Sequence, residues 1–314
     1  MSNLKIVSPA PHFRSGESTS SIMLSVVAAL MPAAVVSVLV FGFRALLLEA
    51  VCVAACVFFE FLFRVVMCKR DNTIGDCSAI VTGLLLAFNL PVGIPIWMAV
   101  LGCAVAIIVT KQLFGGIGQN FANPAIVGRI FLLISFSSQM STWADPKGYF
   151  GVDAVSGATP LALLKNGSPL ADLPDMLNML LGIRGGCVGE TCIIALLIGG
   201  IYLIWKKVIT ATTPVVFLLT IVVFSMLFGL NPAYELVAGG AVLGAFFMAT
   251  DYATSPSTEK GKVIFAIGCG IITMVIRAFG SYPEGVSFSI LLMNILTPHI
   301  DSLTRKKPFG GVVK

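Results

Sequence analysis

Charge is scarce in this chain. Only 11% of its 314 residues are Asp, Glu, Lys or Arg, less than half of the roughly 25% found in soluble globular domains. That shortage, with 57% apolar residues and a mean hydropathy of +0.97, excludes an ordinary soluble fold. Regular apolar/polar alternation is also missing, which excludes a transmembrane β-barrel. Histidine is limited to His12 and His299, which lie near the boundaries of the apolar region and do not resemble a metal pair. Eight cysteines are present, but Cys52, Cys56, Cys103 and Cys269 lie inside apolar runs and read as small packing residues. Cys187 and Cys192 flank a loop-to-helix junction without the further thiolates that an iron–sulfur cluster needs. No metal site is therefore expected within this chain alone. No nucleotide-binding glycine fingerprint follows a strand, so a dinucleotide would have to bind on a partner. The net charge of +5 gives no sign of nucleic-acid binding, because the Lys and Arg residues sit in short loops between apolar runs. No signal peptide is expected ahead of the first span, since positions 1–20 are polar and the run from Ile22 lacks a small-residue cleavage site.

What the chain has instead is a succession of about ten continuous apolar runs, each long enough to cross a ~30 Å hydrocarbon layer as a helix. They read as spans over 21–41, 46–66, 77–92, 96–114 and 124–139, then 189–206, 213–229, 233–250, 262–279 and 284–300, with a half-helix near 174–183. The expected fold is an all-α polytopic membrane protein. Its parts are a polar leader over 1–20, a first group of spans over 21–139, a polar loop over 140–175, a second group over 176–300 and a basic tail over 301–314. Ser18, Thr19, Ser20 and Ser21 could cap the first helix. With the N-terminus inside, Lys69, Arg70, Lys111, Lys206, Lys207, Lys260, Lys262 and the Arg305-Lys306-Lys307 tail all fall on the cytoplasmic side. Both termini are then cytoplasmic and the 140–175 loop faces outward. Each half also holds a small-residue run ending in a polar, proline-containing break: Ala79 to Pro91, and Ala241 through Asp251 to Pro256. An odd number of crossings per half, about five, must invert across the membrane, which gives two inverted five-helix repeats.

Two stretches suggest chemistry. In Lys111 to Ala125 the glycines permit unusual backbone geometry, and Asn123-Pro124 reads as the N-cap and first residue of a helix. Such a terminus suits a flavin carbonyl or a phosphate, although a tight loop with a capped helix explains it equally well. Asp76, Asn89, Arg129, Glu190, Asp251, Arg277 and Asn294 are polar groups within apolar runs, where burial is expensive. Asn120, Asn123, Asp251 and Arg277 are taken as candidates for a flavin contact or an ion path. The second stretch, Val152 to Leu161, lies in the long polar loop. There Ser156-Gly157-Ala158 is small and flexible, Asp153 is acidic, and Pro160 stiffens the exit from Thr159. The Thr159 hydroxyl is expected to be accessible and able to accept a large group.

Those residues carry a resemblance that runs nearly end to end. The Ser8-to-His12 leader, Gly115-Gly116 through Asn123-Pro124-Ala125, Ser156-Gly157-Ala158-Thr159-Pro160-Leu161 and Gly189-Glu190-Thr191 all belong to it. So do Gly244 through Asp251, and Ile276-Arg277 through Tyr282-Pro283-Glu284-Gly285. The chain resembles the family formed by the D subunits of Rnf ion-translocating oxidoreductases and, more distantly, the B subunits of the sodium-translocating NADH:quinone reductases. The resemblance implies FMN bound to Thr159 through a phosphoester, installed from FAD by a separate flavin transferase outside the cytoplasm. It implies electron relay between ferredoxin and NAD, coupled to Na⁺ or H⁺ transport, in the bacterial inner membrane. The partners it implies are the A, B, C, E and G subunits of the Rnf complex, and it allows a second, noncovalent flavin such as riboflavin near the midplane. It also implies a urea-transporter-like inverted-repeat fold. Two other readings stay open on the sequence alone: a solute or ion channel on the same scaffold without a flavin, and a structural component that anchors partners through its leader and tail.

Overall fold

The computed structural model describes residues 18–69, 71–146, 152–157, 159–165, 173–190, 192–280 and 284–305, with 152–157 described as backbone. The first helix, α1 (Thr19–Phe41), starts where the serine run suggested. The Ser18 hydroxyl oxygen accepts from the Ser21 N–H at 3.2 Å. Gly42, at φ 73°, lets the chain turn directly into α2 (Phe43–Met67). The first half continues with α3 (Ser78–Phe88), α4 (Ile96–Gln112), α5 (Pro124–Ser135) and the short α6 (Ser137–Met140). The first part of the polar loop forms an antiparallel pair, β1 (Trp143–Pro146) with β2 (Val152–Gly157), followed by α7 (Pro160–Lys165) and α8 (Met176–Leu181). The second half holds α9 (Ile193–Trp205), α10 (Thr212–Leu227) and α11 (Pro232–Val237). Next comes α12, α-helical over Ala241–Leu243 and π-helical over Gly244–Met248, and then α13 (Glu259–Phe279) and α14 (Val286–Thr304).

α1, α2, α13 and α14 are long and apolar enough to cross a membrane. The protein is thus a multi-pass membrane protein. Two expected spans prove to be broken. In place of 77–92 stands α3, 11 residues long, or about 16 Å, half a hydrocarbon layer. Asn89, just past its end, folds its amide back onto the Leu85 oxygen at 2.6 Å, and Pro91 follows. In place of 233–250 the chain forms α11, a break at Gly239 and Gly240 with φ of 65° and 67°, and then α12. Apolar composition does not record these breaks, because glycine, proline and one polar residue are enough to interrupt a helix without lowering hydropathy.

Contacts between segments mark two sides of the molecule. Ser20 reaches the Gly75 oxygen, Lys111 reaches Glu60, Thr212 reaches Glu259, and Thr258 reaches Thr304. Arg44 reaches the oxygens of Val92, Gly93 and Ile94 on the opposite side, where Val188 and Gly189 donate to Leu90 and Phe88. Thr19 and Thr304 therefore share a side, and the segment from α6 to α8 lies on the other. α3 runs from the first side towards the second and α12 runs back. Their inner ends approach at Asn89 and Met248, with Nδ2 3.8 Å from the sulfur.

The halves meet along α1 and α9. A Cβ built on Gly199 would lie 2.0 Å from the Ala29 carbonyl oxygen, so only glycine permits this close approach of backbones. Gly199→Ala should force the helices apart and lower stability by about 1–3 kcal/mol, read as a lower thermal midpoint in detergent. Gly186→Ala, with nothing within 4 Å of the added carbon, should leave packing unchanged.

Candidate functional site

Thr159 directly precedes α7 and caps it. Its Oγ1 accepts from the Ala162 N–H at 3.3 Å, and its carbonyl accepts from Leu163 at 3.0 Å. Pro160 takes the first helical position, where a missing N–H costs nothing. α7 is pinned by Leu161, which packs with Met179 and Ala238, and by Lys165, whose Nζ donates to the Gly280 oxygen. Thr159 is consequently only 5% exposed. The expected freely accessible hydroxyl on an open loop is corrected here: packing of α7 onto α11 draws the residue inward. The hydroxyl borders a small cleft whose walls include Arg184, Gly185, Gly186, Glu190, Gly239 and Glu284. The residues before it are partly ordered as a strand. Ser156 pairs opposite Ala144, Asp153 opposite Asp145, and Gly157 opposite Trp143. Ala158, between strand and helix, lies outside the described residues, as do Lys306 and Lys307, most of the leader, Arg70 and Thr191.

Beside the cleft, Arg129 of α5 draws three elements together. Its Nη1 donates to Asn89 Oδ1 at 2.6 Å and to Glu190 Oε1 at 3.1 Å, while Nη2 donates to Glu284 and to the Cys187 sulfur. Cys187, Glu190 and Glu284 place their ligand atoms within 4.8 Å of one another. A guanidinium already donates to all three, so two carboxylates and a thiol enclose Arg129 and do not leave a vacant cation site. Arg277 of α13 is held similarly: Nη1 meets Glu235 Oε2 at 2.8 Å and Nη2 meets the Ala238 oxygen at 3.1 Å. Arg129 and Arg277 were legible as costly polar groups. Their partners Glu235 and Glu284, and the buried Arg184, were not, because each sits in a short loop or terminal turn that composition reads as exposed. Glu49, 5% exposed and hydrogen-bonded to Ser37 between α1 and α2, was likewise missed.

A cavity of about 730 Å³, counting its opening, lies towards the other side. It collects three of the four sequence candidates, Asn120, Asn123 and Asp251, together with Lys111, Phe246 and Phe247. Arg277 is not among them, since its pair with Glu235 holds it on the Thr159 side. Asn123 caps α5 as expected, with Oδ1 3.0 Å from the Ala125 nitrogen, and its Nδ2 donates to the Met248 oxygen at 3.5 Å. One side chain thereby joins the start of α5 to the end of α12. Asn123→Ala should cost about 1–2 kcal/mol through the lost cap, visible as a lower thermal midpoint. Asp251 accepts from Thr254 Oγ1 at 3.1 Å. Lys111, expected as a cytoplasmic loop charge, is instead 2% exposed and paired with Glu60 at 2.7 Å. It sits in the π-helical end of α4, which turns its side chain towards α2.

Residues 6–310 match the model of the NQR2, RnfD, RnfE family. The chain belongs to that family. Over 307 residues it is 50% identical to the D subunit of the Na⁺-translocating ferredoxin:NAD⁺ oxidoreductase complex of Acetobacterium woodii, covering 97% of this chain and 95% of that one. It is 44% identical to the D subunit of the proton-translocating ferredoxin:NAD⁺ oxidoreductase complex of Clostridium ljungdahlii, covering 98% and 97%. It is 37% identical to the D subunit of the ion-translocating oxidoreductase complex of Actinobacillus succinogenes, covering 96% of both.

Proposed function

We propose that this chain is the D-type membrane subunit of an ion-translocating ferredoxin:NAD oxidoreductase complex and that it carries FMN on Thr159. The observation that carries this role is 50% identity across nearly the whole of both chains to a relative of that name. Its partners are then the A, B, C, E and G subunits of an Rnf-type complex, within the bacterial inner membrane. Described Lys and Arg residues outside the buried pairs favour the side shared by Thr19 and Thr304: Arg64, Lys69, Lys206, Lys207, Lys260, Lys262 and Arg305 lie there, against Arg44, Lys165 and Arg184 opposite. The rule for basic loops makes the first side cytoplasmic and the Thr159 side external. The reversed running of α1 and α9, and of α3 and α12, supports two inverted five-helix repeats.

The residues around Thr159 suit a phosphoester. Its Oγ1 acts only as an acceptor towards Ala162, so replacing the hydroxyl hydrogen with phosphorus breaks no observed hydrogen bond. Gly186, with open space where a Cβ would stand, leaves room beside it. A flavin transferase would join this oxygen to the FMN phosphorus of FAD, breaking the pyrophosphate bond and releasing AMP. The bound flavin supplies one- and two-electron redox chemistry, while this chain holds and orients it. The cavity bounded by Asn120, Asn123, Phe246, Phe247 and Asp251 has the mixed apolar and polar lining of a small-molecule site, and we assign the second, noncovalent flavin to it. Mass spectrometry of the peptide from Asp153 to Lys165 tests the attachment: an added flavin mononucleotide mass on Thr159 is expected, and an unmodified peptide from transferase-containing cells would refute it.

A further inference from the structure

Arg184 stands in the loop between α8 and α9 and is 5% exposed. Its Nη2 donates to the Glu190 main-chain oxygen at 2.8 Å, the one hydrogen bond it makes among the described residues. Among those residues it makes no ion pair. A guanidinium offers five N–H donors in a rigid fork, so most of this fork is unused although the group is largely out of water. Leaving a buried charge in that state is costly unless an anion meets it.

The two acids in the same cleft do not fill that role. Glu190 and Glu284 both pair with Arg129. Arg277, beyond Gly239, is matched by Glu235. Among the described residues, Arg184 is thus the cation of the cleft that lacks a carboxylate of its own. Its nitrogens are also not sealed into the interior, in contrast to the orphaned Nε atoms of Arg129 and Arg277. It faces the space that Thr159 borders.

We propose that Arg184 is the clamp for the phosphodiester between Thr159 and its flavin, an inference that rests on the reading of Thr159 as the attachment site. A phosphodiester brings a single negative charge shared by two non-bridging oxygens, which match a guanidinium fork better than an ammonium point charge. Arg184 is a positioning residue in this arrangement. It fixes the first atoms of the tether, and so the direction in which the flavin leaves the cleft.

The test compares full-length chain made with and without the flavin transferase, as wild type, Arg184→Gln and Arg184→Lys. Attachment is expected to raise the thermal midpoint of the wild type by about 4 °C or more, the scale of one buried charge-assisted pair. Arg184→Lys should keep part of that gain and Arg184→Gln almost none, while unmodified Arg184→Gln melts no lower than unmodified wild type. Fluorescence anisotropy of the attached flavin should fall in the same order. Attachment that fails in Arg184→Gln but persists in Arg184→Lys also supports the clamp. An equal gain in wild type and Arg184→Gln overturns it, as does failed attachment in both variants while their unmodified forms melt like wild type. The mass of the peptide from Asp153 to Lys165 separates the two failures. Flavin present with an equal gain removes only the clamp, whereas flavin absent from the wild type removes the attachment site and the clamp with it.

Discussion

Thr159→Val, produced beside an active flavin transferase, should lose all covalent flavin. The fluorescent band that survives denaturing electrophoresis in the wild type disappears, and the peptide from Asp153 to Lys165 returns to its unmodified mass. Valine is close to threonine in size and shape and retains a β-branched side chain before Pro160, so the backbone entering α7 is undisturbed. It does remove the acceptor for the Ala162 N–H, which should cost about 1 kcal/mol in helix capping. The expected result is thus a complete chemical loss with a small stability loss. Thr159→Ser keeps both the nucleophilic oxygen and the cap, and should retain the band. A band that persists in Thr159→Val would shift the attachment to another hydroxyl and undo the assignment.

Arg129→Gln is expected to be the most destabilising single change near the cleft. Arg129 is 5% exposed and joins α5 to the end of α3 through Asn89, to the loop before α9 through Glu190 and to the start of α14 through Glu284. A glutamine is too short and neutral to replace it, so two buried carboxylates lose their counter-ion. Breaking a buried pair by removing one partner costs about 3–5 kcal/mol, enough to threaten a membrane protein of ordinary stability. The measurement is the thermal midpoint in detergent together with the yield of folded chain. Lowering the pH should recover part of the loss, because protonation removes the charge that no longer has a partner. A variant that folds with the wild-type midpoint would mean that Arg129 contributes little net stabilisation.

Several features could be read from residues alone because they are local. Apolar runs free of charge dictate helices in a bilayer, where every backbone group must be satisfied within its own segment. Asn123-Pro124 announces a capped helix, and Oδ1 of Asn123 does cap α5. Gathering Asn120, Asn123 and Asp251 around one cavity is less local. Even so, Asp251 was visible as a polar group in an apolar run, the kind that lipid does not tolerate without a reason, and Asn120 and Asn123 lay in the glycine-containing stretch that leads into a capped helix.

Where sequence and structure part, the missing information is tertiary. Hydropathy cannot distinguish a full crossing from a half-helix continued by a glycine turn, so α3 and the α11–α12 break read as complete spans. Nor can it see that Lys111 is neutralised by Glu60, 51 positions away, and is therefore buried and not left in a loop. Thr159 reads as exposed because its neighbours are small and polar. Its burial is imposed by Leu161 and Lys165 docking onto elements that lie far along the chain.

By itself the sequence determined that the protein is helical and embedded in membrane, and it singled out Thr159 and the polar residues of the cavity. The cost of moving charge and unpaired backbone groups into hydrocarbon is set residue by residue. Tertiary structure alone decided which charges are matched, since a salt bridge depends on distances between helices and not on order along them. By pairing Glu190 and Glu284 with Arg129 and Glu235 with Arg277, the fold leaves Arg184 beside Thr159 with no carboxylate of its own among the described residues.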